Sequence, residues 1–553
     1  MEQIPSFNQY IEDSVIKFWD KDAFTDYKGA TLQYHDVARK IEKLHIMFEN
    51  SGVKRGDKIA LCGRNSSHWA VAFLATLTYG AIAVPVQNEF TPEQIHNIVN
   101  HSESKLLFVG DVVCTQVNPD MMPALEGIVY LPDFSIVISR SEQLTFAREH
   151  LNEIFGKRYP KFFRKEHIHY YKEQSPEELA MINYTSGTTG FSKGVMLPYR
   201  ALWGNIDYVL KCLTPNVKPG SNLVSILPMA HMYGLAVEFL FGFINGCHLY
   251  FLNRMPSPSL IAEAFAEVKP RLIVAVPLVV EKIIRRKVLA EVQTNRMKLL
   301  LNMPVINKKI KQHIRDRIME AFGGNAYEII VGGAPLNQGI EEFLNSVGVP
   351  ITIGYGTTET APLITFANYD NYKIASCGPV VDHMEAKVVS PDPANVPGEL
   401  IAKGMNVMLG YYKNEEATNA VLDKDGWFHT GDLATMAPSG HIYIKGRIKN
   451  MLLGANGQNV YPEEIEDKLN NMPLVGESII IQRDTKLVAL VHPEIEDKEA
   501  MDFDDDDVKG IMDENLKTLN NQLPPFCKIA AIEIQKEEFQ KTAKKSIKRY
   551  LYK

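Results

Sequence analysis

Short, continuously apolar runs alternate with helical patterns through most of the chain. DKIALCG at 57–63 leads into WAVAFLATLTYG at 69–80 and then AIAVPV at 81–86. KLLFVG at 105–110, RLIVAVP at 271–277, YEIIVGG at 327–333 and ITIGYG at 351–356 repeat the theme. Strands with no polar alternation must be covered on both faces. Interleaved with helices, they predict an α/β fold with mainly parallel sheets flanked by helices. The texture changes near residue 385. EAKVVS, GELIAKG, GHIYIKGR and NMLLG are short alternating strands separated by turns, which predicts an antiparallel, distorted β-barrel segment. The last hundred or so residues read as a separate, small α+β unit. Its predicted elements are a helix at 462–471, strands at 478–482 and 487–491, a helix from 508 to about 521, and a strand at 529–534. DFDDDD at 502–507 reads as a solvated charge run between elements.

Two apolar stretches, 69–86 and 223–247, approach the length of a membrane span. Gly80 and Pro85 break the first, which reads as a core helix, a glycine stop and a buried strand. Pro228, His231 and Glu238 interrupt the second, and a glutamate at mid-depth in lipid is costly. Lys+Arg total 59 against 66 Asp+Glu, a net charge of −7, so no nucleic-acid partner is expected. The six cysteines stand apart without a CxxC pair, as free thiols in a reducing compartment would. The N-terminal MEQIPSFNQYIEDSV has no basic start followed by an apolar run, so no signal peptide is predicted. A cytoplasmic protein is expected, with peripheral membrane contact as an alternative role for its basic tail.

The richest chemistry lies in YTSGTTGFSKG, residues 184–194. Polyphosphate needs many donors in a small space. Thr185, Ser186, Thr188, Thr189 and Ser192 supply hydroxyls, and Gly187, Gly190 and Gly194 let backbone N–H groups approach. Lys193 supplies charge, and each hydrogen bond to a charged group contributes roughly 1.5–3 kcal/mol. An ordinary P-loop requires GK[ST] after four spacer residues. Here Gly194 follows the lysine and the hydroxyls precede it, so the cradle is of another kind.

The loop, as YTSGTTGFSKGVMLPYRAL, resembles the phosphate loop of the adenylate-forming enzymes. That superfamily comprises acyl-CoA synthetases, peptide-synthetase adenylation domains and luciferases. Further motifs follow in the family's order: PMAHMYGL at 228–235, VGGAPL at 331–336, GYGTTET at 354–360, GELIAKG at 398–404, GWFHTGDLA at 426–434, GRIKNMLLGANGQNVYPEEIE at 446–466 and KTAKKSIKR at 541–549. The resemblance spans nearly the whole chain and is nearest to medium- to long-chain fatty acid–CoA ligases.

The resemblance implies two domains, a nucleotide-binding part at 1–446 and a mobile lid at 447–553, with a hinge near Lys449. It implies ATP, Mg²⁺ and coenzyme A as cofactors. A fatty acid's carboxylate would attack the α-phosphate of ATP, and the thiol of coenzyme A, or of an acyl carrier protein, would then take the acyl group. By the same resemblance, Gly354, Tyr355, Gly356, Thr357 and Thr358 form the nucleotide motif. Tyr355 lies against adenine, Thr358 donates to the α-phosphate, and Glu359 is a hard oxygen ligand for Mg²⁺. Gly332, Gly333 and Ala334 bring backbone close to adenine. Asp432 accepts from the ribose hydroxyls, and Arg447 adds a ribose or phosphate contact. His231, Met232 and Tyr233 line the acyl pocket, and Gly454 and Gly457 line the thiol channel.

One position departs from the family. Counted from Lys541 and Thr542, its C-terminal lysine pattern, KTxxGKxxxR, puts Ser546 where lysine is usual, with Lys545 just before it. A shift of one residue would let Lys545 serve as the catalytic lysine beside Lys193 and Thr358. Two rival functions follow from these residues: an enzyme that stops at acyl-adenylate or loads a carrier protein, and a nucleotide- and acyl-binding sensor with impaired catalysis.

Overall fold

The computed structural model describes residues 4–185, 192–284, 304–453, 459–483, 486–494, 504–541 and 547–552. Two large sheets dominate. The first runs in the order Gly410–Tyr411, Lys193–Pro198, Leu179–Thr185, Ile82–Val86, Lys58–Cys62, Ser104–Val109, Gly127–Tyr130, Ile136–Ser139. The second runs Ile351–Ile353, Glu328–Val331, Leu272–Ala275, Asn222–Ser225, His248–Phe251, Asp22–Asp26, Thr31–Gln33. Their central strands pair in parallel, and antiparallel neighbours stand only toward the edges. Every strand read from a continuous apolar run lies inside one of these sheets, because burial on both faces is what that composition requires.

The first apolar stretch is a helix, Ser67–Tyr79, followed by the strand Ile82–Val86. The Ser66 hydroxyl accepts from the Trp69 N–H at its start, and Gly80 closes it at φ 83°, a left-handed conformation that suits glycine. Trp69 and Phe73 stack in the core. The second stretch divides into the strand Asn222–Ser225, a π-helix Gly234–Leu240 and a short helix Phe241–Ile244. Among the described residues, no helix is long and apolar enough to cross a membrane.

Met384–Val389, Gly398–Gly404, Phe428–Met436 and Ile442–Arg447 form a four-stranded antiparallel sheet. This corrects the barrel expected from sequence. The strands pair in simple succession and, among the described residues, the sheet stays open at both edges. The C-terminal unit has its own three-stranded sheet, Val475–Arg483, Lys486–Pro493 and Ile529–Ile534, and its own apolar core around Leu469, Val491 and Leu519. Helices Pro462–Asn470 and Asp505–Gln522 pack on it. The aspartate run is more than a spacer. The Asp504 carboxylate accepts from the N–H groups of Asp506 and Asp507 and caps the second helix, whose first turn holds Asp505, Asp506 and Asp507.

One buried carboxyl gives the large domain a pH dependence. Glu328 is fully buried in its strand, accepts from the Thr352 hydroxyl at 2.8 Å, and is pushed by burial up to about 8. In the unfolded chain it ionises near 4.5. Between these values the native state holds a proton that the unfolded state has lost. The contribution to stability is therefore complete below pH 4.5 and is lost as pH rises toward 8. Glu328→Gln should flatten this dependence, so wild type should lose melting temperature relative to the variant between pH 5 and 8. Parallel melting curves of the two proteins across that range would refute it.

Candidate functional site

Strand Leu179–Thr185 turns back antiparallel into Lys193–Pro198, with Thr185 opposite Lys193. The sequence-predicted phosphate loop thus joins two adjacent strands. Thr185 and Lys193 stand at its two ends, while Ser186, Gly187, Thr188, Thr189 and Gly190 lie outside the described residues. The next strand out, Gly410–Tyr411, places Tyr411 opposite Val195, and the Tyr412 N–H donates to the Gly194 carbonyl at 2.7 Å. The Lys193 ammonium sits over the Tyr411 ring, 4.7 Å from its centroid. The Tyr411 hydroxyl donates to Glu359 Oε1 at 2.8 Å. The structure therefore brings Lys193 and Glu359 together, one on the face and one at the tip of a single tyrosine.

Glu359 belongs to a tight return. Strand Tyr355–Gly356 pairs antiparallel with Leu363–Thr365. Between them Thr357 N–H donates to the Pro362 carbonyl, and the Thr360 hydroxyl donates to that same carbonyl at 2.6 Å. Gly356 permits the approach: a Cβ there would stand 1.7 Å from the Pro362 carbonyl oxygen. Thr358 is buried in this turn, and Gly354 precedes it at the end of the second large sheet.

A second cluster forms around Asp432. Strands Phe428–Met436 and Ile442–Arg447 place Asp432 directly opposite Arg447. Arg447 Nε lies 2.9 Å from Asp432 Oδ1, and the Tyr355 hydroxyl donates to Oδ2 at 2.5 Å. The turn before it is tied down by the Thr430 hydroxyl, which accepts from the Asp432 N–H, and by Glu399, which accepts from the Gly431 N–H. Asp432 is 4% exposed. Burial pushes its carboxyl above the usual aspartate range, against the pull of Arg447. Burial and the adjacent carboxylate hold the Tyr355 phenol well above its ordinary value, so it remains a donor.

The acyl-pocket candidates meet the glycine motif. The Tyr233 ring lies against Gly332, where a Cβ would be 3.0 Å from it, and its hydroxyl donates to the Ile330 carbonyl at 3.1 Å. Gly333 takes a φ of 84°, which glycine adopts without strain, and Ala334 follows it. Met232 is fully buried in the main core, and His231 Nδ1 accepts from the Tyr233 N–H. Asn183, just before the phosphate loop, donates to the Ala230 carbonyl at 2.9 Å and joins this segment to the loop's strand. Asn65 holds the other side, donating to the Leu227 carbonyl and accepting from the Met229 N–H. Gly454, Gly457 and Lys545 lie outside the described residues.

Tyr411, Asn183 and Asn65 were not found from sequence. Only the GYY doublet at 410–412 hinted at the first, and isolated asparagines signal nothing until their partners are known. Among the described residues no group of three or more His, Cys, Asp or Glu side chains could hold a metal. A single fixed carboxylate such as Glu359 nevertheless fits Mg²⁺, which commonly takes one or two carboxylates with substrate phosphates and water completing its shell.

The site thus sets Lys193, at the end of the hydroxyl- and glycine-rich loop, near the Glu359 carboxylate, and the buried Asp432 beside the Tyr355 ring. The family model described as AMP-binding enzyme matches residues 11–412, and that of the AMP-binding enzyme C-terminal domain matches 449–552. A long-chain-fatty-acid–CoA ligase of Escherichia coli O6:H1 is 30% identical over 507 residues, covering 86% of this chain and 82% of the relative. ATP-bound MatB from Rhodopseudomonas palustris superposes with a TM-score of 0.76 at 23% identity, covering 99% of this chain and 98% of that one. The anthranilate CoA ligase AuaEII with anthranoyl-AMP gives 0.78 at 17% identity, covering 99% and 97%. These two structures establish the shared fold. The chain belongs to the AMP-binding enzyme family. It is an acid–thiol ligase of the adenylate-forming type, a class that uses ATP, Mg²⁺ and coenzyme A.

Proposed function

We propose that this enzyme activates a medium- to long-chain fatty acid as its acyl-adenylate and transfers the acyl group to coenzyme A. The observation that carries the reading is the placing of Lys193 and Glu359 on the face and at the tip of Tyr411, at the end of the candidate phosphate loop. The fatty-acid assignment draws support from the Escherichia coli relative, itself a long-chain-fatty-acid–CoA ligase.

In this reading the acid's carboxylate attacks the α-phosphate of ATP, and pyrophosphate leaves. The thiol then attacks the acyl carbon, and AMP leaves. The first step joins two anions, so positioning and charge neutralisation supply the catalysis. Lys193 and the loop hydroxyls bind the phosphates, and Thr358 donates to the α-phosphate. Mg²⁺, held by Glu359, would neutralise charge across the phosphates. Tyr355 lies against adenine while Asp432, kept in place by Arg447, accepts from the ribose. His231, Met232 and Tyr233 border the acyl group, with Gly332, Gly333 and Ala334 on the adenine side. Residues 447–553 turn about Lys449 between the two steps, and Gly457 then borders the thiol.

Lys193→Ala should raise the KM for ATP about tenfold or more, the weight of a charge-assisted contact. An unchanged KM and kcat would remove the lysine from the phosphate site. The substrate reading is tested by AMP release with coenzyme A across straight-chain, aryl and dicarboxylic acids. Fatty acids should lead by the largest kcat/KM. Preference for an aryl or dicarboxylic acid would overturn the fatty-acid assignment. AMP release dependent on a holo-carrier protein, and absent with coenzyme A, would instead make that protein the acceptor.

A further inference from the structure

We propose that Tyr411 is a positioning residue that keeps Lys193 and Glu359 apart and aims both at the metal-bound triphosphate. The proposal rests on the reading of Glu359 as the metal-holding carboxylate.

The two charges are opposite, stand beside one another, and must both face the nucleotide. Left free to approach, an ammonium and a carboxylate would pair and quench each other. They form no ion pair with one another among the described residues. The Tyr411 ring lies under the ammonium at 4.7 Å, and its hydroxyl occupies Glu359 Oε1 at 2.8 Å. An aromatic face attracts a cation through its quadrupole. A phenol at the ring's tip donates to a carboxylate and leaves the other oxygen free. Tyrosine combines both abilities, whereas phenylalanine has only the first.

Tyr411 is itself held rigidly. It is 6% exposed, and its N–H donates to the Thr418 hydroxyl at 2.8 Å. Gly410 before it takes a φ of 135°. The same segment fixes the backbone of Glu359, whose carbonyl accepts from the Met408 N–H at 2.8 Å. Upstream, Arg200 donates to the Met405 and Val407 carbonyls. The segment 405–411 therefore grips Glu359 at its backbone and at its carboxylate while supporting Lys193 from below.

The experiment measures two binding equilibria on the full-length enzyme. Mn²⁺ is titrated in the presence of ATP and read by the paramagnetic resonance of the free ion. A fluorescent ATP analogue is titrated without metal. Tyr411→Phe keeps the ring and loses the hydroxyl. It should weaken metal binding about tenfold, the usual cost of removing a partner that orients a metal ligand, and leave metal-free nucleotide binding within about twofold. Tyr411→Leu removes both features and should also weaken metal-free nucleotide binding by about threefold, the weight of a lost cation–π contact. Glu359→Gln separates the premise from the proposal. If Glu359→Gln binds Mn²⁺ like wild type, Glu359 is no metal ligand and the premise falls. If Glu359→Gln is weakened while Tyr411→Phe matches wild type in the metal titration, the positioning role is overturned and the site reading stands. Melting temperatures of Tyr411→Phe and wild type are compared so that a loss is credited to the site only in a folded protein.

Discussion

Alanine at position 356 is expected to lower acyl-adenylate formation by about 100-fold or more, the scale of a 1 Å misplacement of reacting groups. A methyl group 1.7 Å from the Pro362 carbonyl oxygen cannot be accommodated by a side-chain rotation, because the obstacle is backbone. The strands Tyr355–Gly356 and Leu363–Thr365 would have to part. That movement displaces Thr358 and Glu359 on one side and the Tyr355 hydroxyl from Asp432 on the other. Crowding of this kind also costs about 1–3 kcal/mol of stability. Acyl-dependent pyrophosphate exchange measures the first effect and a denaturant midpoint the second. Activity within threefold of wild type would show that the close approach has no bearing on the site.

Lys545→Ala is expected to slow acyl-adenylate formation by roughly 10²–10³, the cost of removing one preorganised charge from the transition state. The position is inferred from the sequence register, in which Ser546 occupies the family's lysine site. Contacts hold the described residues on either side of it in place. Lys541 and Ile547 pair across an isolated antiparallel bridge, and the Lys548 N–H donates to the Gln540 carbonyl at 2.8 Å. Arg549 pairs with the buried Glu466 on helix Pro462–Asn470, which also accepts from the Ile480 N–H at 2.6 Å. Lys541 Nζ lies 2.6 Å from Glu477 Oε1, so the described residues on both sides are anchored to the C-terminal unit. Thioester formation from pre-made acyl-adenylate should survive in Lys545→Ala if, as proposed, that step follows a turn of residues 447–553 about Lys449. Lys544→Ala should stay within a few-fold of wild type. Normal adenylation by both variants would refute the shifted register, and Ser546→Lys would then test whether a restored lysine accelerates the enzyme.

The sequence by itself determined the parallel sheets, the helix–glycine–strand run at 69–86 and the order of elements after residue 460, and it marked out the hydroxyls, glycines and lysine of 184–194 as a candidate phosphate loop. Those features follow from local rules. Apolar strands need two covers, a left-handed helix end takes glycine, and polyphosphate needs hydroxyls, glycines and a cation in a short span. Tertiary structure alone decided which residues meet. Asp432 faces Arg447 and Tyr355 because two strands pair in one register and a third chain segment, 77 residues away in sequence from Asp432, crosses beside them. The predicted barrel became an open sheet because strand pairing at its edges depends on partners that no local pattern specifies. Tyr411 stayed invisible for the same reason. Its ring serves Lys193 and its hydroxyl serves Glu359, residues 218 and 52 positions away, and only the folded chain places them within reach of one side chain.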